Sequence, residues 1–237
     1  MRVALVTGGS RGLGLALGRA LAAEGWELVI DGRGAEALEA ARAELQDLAA
    51  SGARVLAVAG DVADEVHRAA VAATVRSYGR LDLLVNNASV LGPSPQPPLA
   101  SYPLDVLRRV YDVNVVAPLA LTQLVLPQLR AAAGRVVNVT SDAAVEAYEG
   151  WGGYGSSKAA LEQVSRVLAA EEPGLRVYAV DPGDMRTRMH QEAFPGEDIS
   201  DRPPPEAAVP GLLRLIHEDR PSGRYLARRL APEGVGA

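Results

Sequence analysis

The chain has 237 residues, a length that fits one large α/β domain with its own core. Its formal net charge of −5 argues against a nucleic-acid surface or an anionic-membrane surface, since both need a basic face. The absence of cysteine excludes disulfides, thiolate catalysis and cysteine zinc sites. The three histidines lie far apart without metal-ligand spacing, so we expect no metal site.

The apolar runs of the chain are short. The first is too short for a signal peptide, and the most apolar later run, 115–129, contains two prolines and is too short to span a bilayer. We therefore expect a cytoplasmic protein.

Apolar runs alternate with longer amphipathic segments along the chain. The runs are near-continuous rather than alternating, which is typical of parallel strands covered on both faces. They predict strands at 3–7, 27–31, 54–60, 81–86, 134–140 and 175–180. Helical patterns occupy 14–25, 35–52, 64–79, 103–131 and 154–172. The alternation predicts a single-domain, doubly wound parallel sheet (Rossmann fold) of about seven strands with helices on both faces.

Two segments interrupt this pattern, a proline-rich loop at 89–103 and a polar, Pro/Gly-rich stretch at 190–207. Both follow the carboxyl ends of predicted strands, where open α/β sheets bind ligands. The composition of 190–207 predicts a mobile lid over a substrate.

A glycine-rich segment, TGGSRGLG at 7–14, joins the first strand to the first helix. Gly8, Gly12 and Gly14 permit a tight turn and close approach of the backbone to a pyrophosphate, and the helix N-terminus supplies N–H donors. The segment predicts a dinucleotide site. A strand–helix turn without a ligand is the alternative.

The only lysine of the chain, Lys158, follows Tyr154 by four residues in the segment YGSSK. Residues four apart on a helix share a face, so the ammonium is expected to lower the pKa of Tyr154 toward the range useful for proton transfer. A compact ammonium suits this role better than a planar guanidinium. On spacing alone, a surface Tyr/Lys pair without a function is the alternative.

These segments and several others, in the same order, resemble the classical short-chain dehydrogenases/reductases over nearly the whole chain. TGGSRGLG matches the family's TGxxxGxG, and Tyr154-x-x-x-Lys158 matches its YxxxK. The further matches are Asp61-Val62, Asn86-Asn87-Ala88, Asn114, Ser141 thirteen residues before Tyr154, and Pro182-Gly183 with Thr187. The chain departs from the family at Ser89, where the NNAG motif ends in glycine.

The resemblance implies hydride transfer between a nicotinamide and a carbonyl or secondary alcohol. It implies Tyr154 as general acid/base, Lys158 as the ribose ligand that lowers the pKa of Tyr154, and Ser141 as a hydrogen-bond donor to the substrate oxygen. Asn114 is implied to hold a water in a proton relay. The residues implied to contact the cofactor are Gly8, Ser10, Arg11, Gly12, Leu13, Gly14, Arg33, Asp61, Val62, Asn87, Ala88, Tyr154, Lys158, Pro182, Gly183 and Thr187.

The choice of nicotinamide depends on the end of the second strand. Asp31 is a candidate for the ribose 2′-OH of NAD. In the family the deciding position is the next one, Gly32, and it is followed by Arg33. Because Arg33 and Arg11 suit a 2′-phosphate, we favour NADP over NAD.

Two further functions stay open. A sensor or scaffold that binds NADP(H) without turnover would have no need of Ser141, Tyr154 and Lys158. A sugar-nucleotide epimerase or dehydratase would carry a different glycine pattern and a longer C-terminal domain. The expected partners are a small carbonyl or alcohol substrate and, by resemblance, copies of the chain in a homotetramer or homodimer. Tyr148, Trp151, Met185 and Met189 flank the motifs and either shape an apolar pocket or pack in the core.

Overall fold

The computed structural model describes residues 1–230 and contains one sheet of seven parallel strands. The order across the sheet is β3-β2-β1-β4-β5-β6-β7, so the order reverses between β1 and β4. The predicted doubly wound fold is therefore confirmed. The strands are β1 (Val3–Val6), β2 (Glu27–Gly32), β3 (Val55–Ala59), β4 (Leu83–Asn86), β5 (Arg135–Val139), β6 (Arg176–Asp181) and β7 (Gly223–Leu226).

The helices cover both faces of the sheet. They are α1 (Gly12–Ala23), α2 (Ala35–Leu48), α3 (Glu65–Arg76), α4 (Leu104–Tyr111), α5 (Ala117–Ala132), α6 (Gly152–Glu171), α7 (Arg188–Ala193), α8 (Val209–His217) and α9 (Ala227–Leu230). The six strands located from sequence all form, with ends that shift by one or two residues. The sequence located neither α8 nor β7, because β7 is short and half-buried and lacks an apolar run.

Side chains of each strand alternate between the two faces of the sheet. In β1, Ala4 and Val6 share one core cluster with α1, α2 and α8, whereas Val3 and Leu5 share another with α3 and α5. All four side chains are fully buried. The continuous apolar runs of the sequence thus follow from a sheet that is covered on both faces, where a buried leucine contributes about 1.5–3 kcal/mol.

A π-helical stretch, Asp112–Val116, joins α4 and α5 into one continuous helix. This helix, Leu104–Ala132, is long and apolar enough to span a bilayer by length and composition alone, which corrects the expectation based on 115–129. It packs against α3 and β4, and 44% of its most apolar window is buried within the protein. A core helix passes the same test, so length and composition are weak evidence for a membrane span here.

Candidate functional site

A cavity of about 770 Å³ lies at the carboxyl ends of the strands, where the loops after β1 to β6 converge. Of the residues predicted for the site, all but Gly14 and Asn114 line this cavity. The doubly wound topology accounts for this convergence, since every parallel strand delivers its following loop to the same edge.

The glycine loop after β1 has the backbone that a bound pyrophosphate requires. Gly8 and Gly12 have positive φ angles of 66° and 55°, a region that glycine enters without steric cost. A Cβ on Gly14 would lie 2.4 Å from the carbonyl oxygen of Gly8, so Gly14 packs the loop against its helix rather than facing the cavity. Arg11 precedes α1 without a side-chain cap, which leaves the first amides of the helix as donors for an anion. The loop therefore fits a dinucleotide pyrophosphate.

Asp31, at the end of β2, is buried and holds the glycine loop. Its Oδ1 accepts a hydrogen bond from the Gly8 amide at 2.7 Å, and its Oδ2 lies 3.1 Å from Nε2 of His67. Gly60 makes room for this histidine, since a Cβ there would lie 2.3 Å from Nδ1 of His67. The sequence does not reveal this role of His67, because nothing in the pattern of α3 distinguishes it from a surface histidine.

The end of the cavity next to β2 carries Arg11 and Arg33, both exposed. Within residues 1–230 neither arginine has an ion-pair partner, which leaves both guanidinium groups available to an anion. Asp61 is paired with Arg109 and accepts a hydrogen bond from the Ala63 amide at 2.9 Å. Partial burial raises the pKa of Asp61, but these two contacts outweigh it and hold the pKa below its ordinary value.

Tyr154 and Lys158 lie one turn apart on α6, as their spacing predicts. Both are buried, and Nζ of Lys158 lies 5.4 Å from the centre of the Tyr154 ring. The ammonium donates to the carbonyl oxygen of Val139, at the end of β5, at 2.8 Å. Burial lowers the pKa of Lys158 to about 8, so this lysine titrates far closer to neutrality than one in water.

The expected lowering of the pKa of Tyr154 is not found in the protein. Burial raises its pKa, the Asp181 carboxylate raises it further, and the nearby Ser89 hydroxyl offsets only part of this rise. The physical reason is that burial and the negative charge of Asp181 both disfavour the phenolate, and these two effects decide the direction of the pKa shift. At neutral pH the phenol of Tyr154 therefore carries its proton.

Ser141 follows β5 and begins a short turn on the same cavity. Its Oγ donates to Oδ1 of Asp142 at 2.8 Å and accepts a hydrogen bond from the Ala143 amide at 3.2 Å. The phenol of Tyr148 donates to the other oxygen of Asp142 at 3.0 Å. Asp142 thus joins the predicted serine to an aromatic residue on the cavity rim, a link that the sequence did not reveal.

Behind the site, Arg224 on β7 connects three elements. Its Nε donates to Glu162 of α6 at 2.9 Å, and its Nη2 donates to Asp181 at 3.1 Å and to the carbonyl oxygen of Ser141 at 3.3 Å. Glu162 and Asp181 are buried, so one cation serves two carboxylates withdrawn from water. No pattern in the sequence points to Arg224, because β7 lacks the apolar run that marks the other strands.

Asn114 lies in the π-helical stretch and does not line the cavity. Its Oδ1 accepts hydrogen bonds from the Ser89 hydroxyl and the Val90 amide, and its Nδ2 donates to the Val90 carbonyl oxygen and to Oγ of Ser157. The side chain therefore ties the loop after β4 to α6. Ser89, the departure from the family motif, takes part in this link. The water-holding role of Asn114 stays a prediction.

The far end of the cavity is apolar and aromatic. Leu91, Ala143 and Tyr154 form a buried cluster against which Trp151 and Met189 pack. The Trp151 ring lies 5.9 Å from the Tyr154 ring in an edge-to-face arrangement. Thr187, predicted to contact the cofactor, accepts a hydrogen bond from the His190 amide at 3.2 Å and so begins α7 beside this end. The apolar-pocket interpretation of the flanking residues thus holds for Trp151 and Met189.

Comparison with known proteins agrees with this geometry. A family model described as short chain dehydrogenase matches residues 2–198. The 2-(R)-hydroxypropyl-CoM dehydrogenase of Xanthobacter autotrophicus is 37% identical over 206 residues, covering 85% of this chain and 81% of that protein. A benzil reductase ((S)-benzoin forming) of Saccharomyces cerevisiae is 33% identical over 219 residues, covering 90% of this chain and 80% of that protein. A short chain dehydrogenase structure from Escherichia coli CFT073, complexed with NADPH, superposes with a TM-score of 0.87 at 30% identity and covers 96% of both chains.

Proposed function

Because the chain belongs to the short-chain dehydrogenase/reductase family and is an oxidoreductase of that family, we propose that it transfers hydride between NADP(H) and a carbonyl or secondary alcohol. The observation that carries the proposal is the single cavity that joins the glycine loop to Ser141, Tyr154 and Lys158. A protein that only senses or stores the nucleotide would have no need of these three side chains at its far end.

The roles of the side chains follow from their positions. The nicotinamide, when bound, supplies or accepts the hydride. The Tyr154 phenol, protonated at neutral pH, donates its proton to the oxygen of the substrate carbonyl. The Ser141 hydroxyl donates a hydrogen bond to that same oxygen, and Lys158 holds the nicotinamide ribose. Since burial and Asp181 favour the neutral phenol, Tyr154 at neutral pH is in the protonation state that carbonyl reduction requires.

Two contacts support NADP rather than NAD. Both carboxylate oxygens of Asp31 already have hydrogen-bonding partners, Gly8 and His67. This carboxylate is therefore a poor acceptor for the ribose 2′-OH of NAD. Arg11 and Arg33 are exposed at the same end of the cavity and suit a 2′-phosphate. The similar structure from Escherichia coli was solved with NADPH. The two named relatives act on unlike substrates, so their names do not transfer a substrate to this chain.

The test is a panel of ketones, aldehydes and quinones supplied with NADPH and followed by the loss of NADPH absorbance. We expect reduction of at least one class, and Tyr154→Phe should abolish it while NADPH binding, measured by fluorescence, persists. Tyr148→Phe is the matched control, because Tyr148 is half exposed on the rim and should keep most of the turnover. A Tyr154→Phe variant with full turnover would refute the acid/base role.

We further propose that the chain forms a homotetramer or homodimer through α5 and α6. Val116, Leu124 and Val167 are large apolar side chains exposed near or on these two helices. Exposed apolar groups on neighbouring helices are typical of a surface covered by a partner. Light scattering at micromolar concentration should give a mass above that of the 24.8 kDa chain. A monomer at that concentration would contradict the proposal.

We also propose that the enzyme is cytoplasmic and that the segment 190–207 acts as a substrate lid. In support of this proposal, four residues of the segment line the cavity: His190, Glu192, Ala193 and Pro205. Hydrogen exchange in 190–207 should slow when NADP and substrate are added. Unchanged exchange would count against a lid.

A further inference from the structure

We propose that the substrate end of the cavity takes carbonyl compounds with an aromatic ring that are uncharged or cationic, and that it discriminates against anionic ones. This inference deepens the proposed function and rests on it for the identity of the reacting group. Two features carry it independently, an apolar wall and an acidic rim.

The wall is built for a flat apolar group. Trp151 stands edge-to-face to Tyr154 and is backed by Phe194, whose ring centre lies 5.8 Å away. Leu91 and Met189 complete the cluster. An aromatic ring bound here would meet ring edges and a thioether, contacts that add to the gain from apolar burial. Tyr154 belongs to the same cluster, so a ring held against this wall is next to the group that donates the proton.

The rim is acidic around Tyr148. A hydrogen bond to Asp142 raises the pKa of the Tyr148 phenol, and the charges of Asp142, Glu146 and Asp184 raise it further. The Tyr148 phenol donates to Asp142 at 3.0 Å, and Asp142 and Asp184, from the segments after β5 and β6, both line the cavity. Asp142 also adjoins Ser141 directly and contacts its hydroxyl.

Asp184 is paired at 3.9 Å with both His190 and Arg202, and Arg186, which also lines the cavity, donates to the carbonyl oxygen of Ser200. The basic side chains near the rim do not neutralise the other two charges. Arg188 is paired with Glu192 at 2.7 Å, and Arg202 is paired with Asp201 at 2.7 Å and is only 3.9 Å from Asp184. Within residues 1–230, Asp142 and Glu146 have no arginine partner. A carboxylate on the substrate would thus approach uncompensated negative charge, whereas a cation would be attracted.

Binding is the first test, because it does not depend on turnover. Benzamide, benzoate and benzamidinium have nearly the same shape and differ in charge. Titrated calorimetrically into the full chain saturated with NADP⁺, benzoate should bind at least about fivefold more weakly than benzamide, and benzamidinium at least as tightly as benzamide. Benzoate binding as tightly as benzamide would overturn the proposal.

Asp142→Asn is the decisive variant, since the amide keeps an acceptor oxygen for Ser141 but loses the charge. The ratio of benzamide to benzoate affinity should shrink by about threefold or more. Asp219→Asn is the matched control: Asp219 pairs with Arg176 at the start of β6, at the opposite edge of the sheet, and its loss should leave the ratio unchanged. A ratio that is the same in Asp142→Asn and the native protein would also overturn the proposal. Should Asp142→Asn misfold, Glu146→Gln combined with Asp184→Asn tests the same rim.

Kinetics with NADPH then separates this inference from the proposed function. Acetophenone should be reduced with a higher kcat/KM than its para-carboxylate, and its para-trimethylammonium derivative should match or exceed acetophenone. Reduction of all three at equal kcat/KM would refute the inference and leave the proposed function standing. If none of the three ketones is reduced but benzoate still binds more weakly than benzamide and benzamidinium, the proposed function is refuted. The inference about which ligands the site prefers would then still stand. In Trp151→Ala the advantage of acetophenone over an alkyl methyl ketone should fall, and an unchanged advantage would refute the aromatic wall.

Discussion

The Gly8 amide donates a 2.7 Å hydrogen bond to Asp31, and the second oxygen of that carboxylate lies 3.1 Å from His67. Asp31, which is 1% exposed, thereby holds the glycine loop against the end of β2. A charged hydrogen bond of this kind is worth about 1.5–3 kcal/mol, so the loop should depend on it.

We therefore predict that Asp31→Ala weakens NADPH and NADH by the same factor, about tenfold. Fluorescence titration of both cofactors measures this factor. Asp31→Asn keeps the acceptor for Gly8 and should lose much less affinity. If Asp31 instead bound a ribose hydroxyl, Asp31→Ala would harm NADH selectively, and that outcome would contradict the structural role.

Arg33→Ala should weaken NADPH by about 1.5–3 kcal/mol and leave NADH nearly unchanged, because the guanidinium is expected to contact the 2′-phosphate that NADH lacks. The same fluorescence titration gives both values. Arg228→Ala is a suitable control, since Arg228 is an exposed arginine on α9 outside the cavity. Equal losses of affinity for NADPH and NADH would indicate that Arg33 contacts a part of the cofactor other than the 2′-phosphate.

Lys158→Arg should lose most of the turnover of the native protein, although the chain uses arginine at every other basic position. Lys158 is 2% exposed and its single nitrogen already donates to Val139, so a larger, planar guanidinium with five donors has neither the space nor the acceptors. Circular dichroism checks the fold before steady-state kinetics. A folded variant with native turnover would show that the ammonium has no special role.

Stability should depend on Lys158 above neutral pH. Burial lowers the pKa of Lys158 from its ordinary 10.5 to about 8, so between these pH values the unfolded chain binds more protons than the folded one. The free energy of unfolding should therefore rise with pH in this window, by up to about 3 kcal/mol from this group. Tyr154 has the opposite effect. Its pKa is raised in the folded state, so above its ordinary pKa of 10.0 this group lowers the free energy of unfolding as the pH rises. Urea unfolding at several pH values should show this rise in the native protein and not in Lys158→Met. If the free energy of unfolding changes with pH in the same way in both proteins, the prediction is wrong.

Arg224→Gln should raise the pKa of Tyr154 further, because Asp181 would lose the cation that faces it. The pH profile of alcohol oxidation should move to higher pH, and stability should fall by about 2–4 kcal/mol, since two buried carboxylates lose their partner. Adding Asp181→Asn should return the profile toward the native one. Arg176→Gln, at a surface pair with Asp219, should change neither property. An unshifted profile in folded Arg224→Gln would exclude the electrostatic role.

The sequence predicted what local patterns encode. Continuous apolar runs located six strands, and the glycine loop and the Tyr154–Lys158 spacing located both ends of the cavity. It could not predict contacts between residues distant in sequence. The Asp31–His67 pair joins residues 36 apart, and the Arg224–Ser141 contact joins residues 83 apart. The pKa of Tyr154 was wrongly predicted for the same reason, because burial and Asp181 decide it and neither is visible in the YGSSK segment.

The lone lysine has one more consequence. A protease that cleaves only after lysine has a single target in the chain, the bond between Lys158 and Ala159, and that bond lies within α6. Lys158 is 2% exposed, so cleavage requires α6 to open locally around the face that carries Tyr154 and Lys158. The rate at which fragments 1–158 and 159–237 appear therefore reports the opening of that helix in the native chain, without any label. A ligand that stabilises the packing of α6 against the sheet should slow cleavage after Lys158, and the more it stabilises this packing, the slower the cleavage should be.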